Sequence, residues 1–209
     1  MDKIFSVDIY QALSYLLPGL ALLVPIYLSK SDPINAALQK IGSLSGTALV
    51  LFVGLSLGVF LHAVSAFAQH QLEKATGLQI MQVETQRFSH FDKVRERVAA
   101  AYDIDLKSAD SGTVYTLART LVMKDGGPLK DRVQLYLAMS VFSRSLILVA
   151  LIVAGTIVWF RFWAFNTRLL YPLAALALLI PVLVYLKAMY FRLSIDETLR
   201  AVLLLTAQK

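Results

Sequence analysis

Four stretches of this chain, residues 9–29, 43–68, 133–160 and 169–191, are apolar for long enough to cross a bilayer. A helix needs about 20 mostly apolar residues to span a hydrocarbon core of about 30 Å. Inside lipid the backbone must satisfy its own polar groups, so such stretches fold as helices. The expected fold is therefore an all-α integral membrane protein with four transmembrane helices. Composition agrees: 57% of residues are hydrophobic and 16% charged, against about 45–50% and about 25% in soluble domains. The third stretch is the least clean, because Arg144 interrupts it. Its uncharged part, residues 145–160, covers only about 24 Å as a helix, so it must borrow a turn from the Arg144 side. The first stretch is longer than the apolar core of a signal peptide, about 7–15 residues, and no A-x-A-like site closes it. It reads as a retained helix, bent at Pro18-Gly19 and Pro25.

These spans divide the chain into a first hairpin (1–68), an insert (69–132), a second hairpin (133–191) and a C-terminal segment (192–209). An even number of crossings puts both termini and the insert on one side. That side carries Lys3, ten lysines and arginines of the insert, Arg192, Arg200 and Lys209; the other has Lys30, Lys40, Arg161 and Arg168. The positive-inside rule then places the insert and both termini in the cytoplasm. Tyr27, Trp159, Phe162, Trp163 and Tyr171 form the outer aromatic belt, and Tyr10, Tyr190 and Phe191 the inner one. The net charge of +6 suits anionic head groups better than nucleic acid.

The insert is patterned for helices. Phe88, Phe91, Val94, Val98 and Ala101 recur at spacings of three and four, which marks one apolar face. Asp110-Ser111 can cap a second helix, with Val114, Leu117, Leu121 and Val122 on its apolar side. Gly126-Gly127 stops that helix, and Pro128 suits the first turn of the next, which should run unbroken into the third span. Ser194-Ile-Asp-Glu197 has the pattern of a capping box and predicts a short separate C-terminal helix. Its apolar face, Ile195, Leu199, Val202 and Leu203, needs the insert or the bilayer interface to lie on.

Within the second span Gly46, Val50, Gly54, Gly58, His62 and Ala66 recur every four residues. Small residues let membrane helices approach closely, so this stripe is a packing face. Its partner is either another helix of the same chain or a second subunit. His62 on that stripe is either a proton relay or a neutral imidazole donating a hydrogen bond across a tight helix contact. No Asp or Glu occurs in the four spans, which favours the second and opposes an ion-coupled transporter. Arg144 and Lys187 lie near the inner ends of the third and fourth spans. Both can snorkel to lipid head groups, or form a cationic collar lining a pore.

The chain has three histidines and no cysteine, and no HExxH, GxSxG, P-loop or GxGxxG is present. No enzyme activity, cofactor or metal is expected; His70, Glu73, His90 and Asp92 match no metal-binding spacing. FSVDIYQALSYLLPG, followed by GLSLGVFLHAVSAF, resembles small four-helix bacterial inner-membrane proteins, some of them encoded beside immunity genes. The layout is also similar to the membrane subunit of the two-component Kiwa anti-phage system. The likeness is one of hydropathy over most of the chain and assigns no functional residue. It implies an oligomeric inner-membrane component that senses or transmits a disturbance to a cytosolic protein partner. A pore-forming effector that depolarises the cell is the alternative, and a small transporter or channel the third.

Overall fold

The computed structural model describes residues 10, 12–28, 44–76, 84–164 and 170–207. Its regular elements are all helical among the described residues. A π-helical turn, Ala12–Leu16, leads into α1 (Leu17–Leu28). Then come α2 (Leu44–Thr76), α3 (Phe91–Tyr102), α4 (Ser111–Asp125), α5 (Pro128–Ala164) and α6 (Leu170–Ala207). Three stretches are long and apolar enough to cross a membrane: Thr47–Ala75, Pro128–Trp159 and Tyr171–Leu205. This is the build of a membrane protein. In the first apolar stretch the described helical residues are fewer, Ala12–Leu16 and Leu17–Leu28. The connections 30–42 and 165–168, and the termini, lie outside the described residues.

Two of the helices run on well past the apolar stretches. α2 continues past Ala68 to Thr76 through the polar AQHQLEKAT. α5 starts at Pro128 and runs unbroken into the third span, as expected. The separate C-terminal helix is not formed. α6 passes straight through residue 194, and Ser194 Oγ donates back to the Phe191 carbonyl at 2.7 Å instead of capping a new helix. Thr198 Oγ1 does the same to the Ser194 carbonyl at 2.6 Å. Both hydroxyls are satisfied inside a continuous helix, and no Gly or Pro between 182 and 207 forces a break. The π turn has a similar local cause. Pro18 lacks an N–H and crowds the carbonyl four residues back, and a widened turn before it relieves both.

The described chain forms two compact units, Met1–Gln69 with Ala138–Ala188, and His70–Leu137 with Met189–Lys209. α2, α5 and α6 each supply residues to both. The second unit has its own apolar core. Phe91, Val94 and Val98 of α3 join Val114, Ala118 and Val122 of α4, Val133 of α5, and Ile195, Leu199 and Val202 of α6. The insert thus shares one core with the C-terminal segment. Ala101 is exposed, which corrects its place on the apolar face of α3; half-buried Tyr102 packs there instead. Asp110 caps α4, its Oδ1 accepting from the Thr113 amide at 3.0 Å and its Oδ2 from Thr113 Oγ1 at 2.6 Å. These bonds favour the carboxylate and hold Asp110 below the ordinary value. Gly127 takes a positive φ of 49° between α4 and α5, a conformation that suits glycine. Tyr190, placed in the inner belt by sequence, belongs to this unit and stacks on Tyr136 at 6.5 Å.

Candidate functional site

The first unit holds the residues that sequence singles out. Gly54, Gly58, Leu61 and Ser65 are the buried positions along α2, at spacings of four, three and four. A helix turns about 100° per residue, so a strict four-residue step rotates about 40° too far each time. The ladder from Gly46 to Ala66 therefore drifts off the contact, and His62 and Ala66 end on its flank, half-buried. Gly46 lies in α2, but its surroundings are outside the described residues.

The glycines meet the first helix of the same chain. A methyl on Gly58 would overlap the Tyr15 carbonyl, and one on Gly19 the Gly54 carbonyl. A methyl on Gly54 would come within 2.6 Å of Leu20 Cδ2. Gly19 is thus more than a bend. It is the reciprocal small residue that lets two backbones touch. Buried Ser14 and Pro18 lie beside it in sequence.

One turn beyond Gly58, His62 sits among polar groups. The Tyr15 ring packs edge-on to it, with centroids 5.1 Å apart and planes at 85°. Arg144 Nη2 of α5 lies 3.0 Å from His62 Nδ1, and Arg144 Nη1 donates to Gln69 Oε1 at 3.3 Å. A guanidinium can only donate, so Nδ1 is the acceptor. This reverses the expectation that His62 donates in its interhelical bond. Arg144 of α5 thus bridges to α2. Serines surround it on α5, with Ser140, Ser143 and Ser145 all buried. Ser143 Oγ donates to the Met139 carbonyl at 2.8 Å, and Ser140 Oγ to the Lys187 carbonyl of α6 at 3.3 Å. Ser145 Oγ has no hydrogen-bond partner among the described residues.

Lys187 is half-buried, and α6 meets α5 beside it through that carbonyl. Tyr15, Gly19 and Gln69 are the site residues that sequence reading missed. Each carried a signal. Tyr15 and Gly19 are four apart, matching Gly54 and Gly58, and Gln69 lies two helical turns from His62 on the same face. Among the described residues, no three of His, Asp and Glu come together as metal ligands. No protein-family model, no curated protein and no solved structure matches this chain.

Proposed function

We propose that the protein is a non-enzymatic sensor or anchor subunit of the bacterial inner membrane. It spans the membrane four times, with both termini and the second unit in the cytoplasm. It works as a homo-oligomer with a cytosolic protein partner, in a defence complex of the anti-phage kind. The observation that carries the reading is the second unit. It has a helical core of its own built from both the insert and the end of α6, and a charged exterior that includes Asp92, Lys93, Glu96, Arg97 and Arg119. Such a module offers a surface on which a cytosolic protein can dock. The three membrane-length helices and the hydropathy likeness to four-helix defence subunits support the rest. The collar reading, with a pore lined by Arg144 and Lys187, loses its guanidinium to His62 and Gln69.

Two measurements test this. The natural chain has no cysteine, so Ser89→Cys on the exposed surface of the second unit gives a single labelling site. An impermeant maleimide should label it only after spheroplasts are lysed; labelling of intact spheroplasts refutes the topology. A pull-down in mild detergent, with the neighbouring genes expressed, should recover a soluble partner. Recovery of the membrane chain alone refutes the partner.

A further inference from the structure

We infer that His62 and Arg144 form a proton-operated latch between α2 and α5. The inference rests on geometry inside the first unit and does not depend on the partner or on the cytoplasmic placement above. Arg144 stays charged at any physiological pH and carries donors only. Its Nη2 stands 3.0 Å from His62 Nδ1. That contact is a hydrogen bond only while Nδ1 bears no proton, so the closed state requires a neutral imidazole with its proton on Nε2.

Binding one proton at Nδ1 changes two things at once. The acceptor becomes a donor facing a donor, and a second positive charge arises beside the first. Turning the ring relieves neither, because both nitrogens of an imidazolium carry protons and neither can accept from the guanidinium. The guanidinium must leave. Gln69 Oε1 still accepts from Nη1, but it is a neutral amide and cannot hold a cation against an adjacent imidazolium. Among the described residues, the groups facing His62 are Tyr15 from the first helix, Arg144 from α5 and, on its own helix, Gln69 as Arg144's second acceptor. α6 brings the cationic Lys187, whose carbonyl meets α5 at Ser140. No Asp or Glu lies in residues 33–72 or 132–195, so no carboxylate on these parts of α2, α5 and α6 is present to neutralise the imidazolium. Acid therefore opens the α2–α5 contact, and the Tyr15–Gly58 backbone approach keeps α1 on α2.

The test uses the full chain in phosphatidylcholine nanodiscs. Only His62, His70 and His90 contribute to a histidine ¹⁵N spectrum, and single Gln variants assign them. At about pH 8, His62 should be the neutral Nε2–H tautomer, and it should become doubly protonated on acidification to about pH 5, either side of the ordinary imidazole value of about 6.5. Spin labels at Phe67→Cys and Leu151→Cys, exposed on α2 and α5, should give a narrow short distance at the higher pH and lose it at the lower. His62→Gln supplies an acceptor that does not titrate, so its short distance should persist at both. Four results overturn the latch: an Nδ1–H tautomer at the higher pH, an imidazole still neutral at the lower, an unchanged distance once it is protonated, or the same loss in His62→Gln.

Discussion

A single methyl group separates three glycines of the first unit. At Gly58 it would strike backbone, the Tyr15 carbonyl; at Gly54 it would strike the tip of Leu20, which can turn; at Gly155 it would meet nothing within 4 Å. Gly58→Ala should therefore cost about 1–3 kcal/mol and push α1 off α2, and Gly54→Ala less than about 1 kcal/mol. Gly155→Ala should be neutral, or stabilise by up to about 1 kcal/mol through helix propensity. Thermal unfolding of the three variants in detergent checks the ranking, and equal losses at Gly58 and Gly155 would remove the backbone-contact account. The stripe was legible in sequence because small residues stand out in an apolar helix. Its true course was not, since spacing by four and spacing by four and three differ only by a drift that the partner helix resolves. The bond to Arg144 was equally hidden. It joins residues 82 apart in the chain, and nothing local in FSRS indicates His62.

Helices show a different division between what sequence reveals and what it hides. The caps of α4 follow from side-chain chemistry next to the backbone they serve, and both Asp110 and Gly126-Gly127 act where their residue types predict. The extents of α2 and α6 do not follow from hydropathy, because a helix leaving the apolar zone continues until a residue stops it. Ser194 could cap or could bond back within a helix, and buried Ile195 and Leu199 decided the matter by holding the segment in register with α6. The Asp110 cap gives a pH signature. Its folded pKa lies below the ordinary 3.8, so the charged form is the one the fold favours. The stabilisation is complete above about 3.8 and disappears as pH falls through the lower folded value. Thermal unfolding followed by circular dichroism should show this acid loss in the natural chain and a smaller one in Asp110→Asn, which still caps but does not titrate.

For the whole molecule, the second unit depends on two separate parts of the chain, His70–Leu137 and Met189–Lys209, the latter including the end of α6. Leu199→Ala, at a fully buried position of its core, should destabilise that unit by about 2–5 kcal/mol. Leu204→Ala, at a site 56% exposed, should cost less than about 0.5 kcal/mol. Faster tryptic cleavage at Arg97 and Arg119 in the first variant but not the second is the expected readout. Sequence left the C-terminal apolar face with two surfaces to lie on, the insert or the bilayer interface, and the shared core identifies the insert. The membrane-embedded unit was readable as helices, but not as a set of neighbours. Its Arg144–His62 bond also bears on how the protein is made. A lone arginine costs about 2.5–3.5 kcal/mol when a helix is handed from the translocon to lipid. His62 leaves the ribosome 82 residues ahead of Arg144, about 4–16 s earlier at ordinary rates of synthesis. The acceptor is already made when the cation that pairs with it leaves the ribosome.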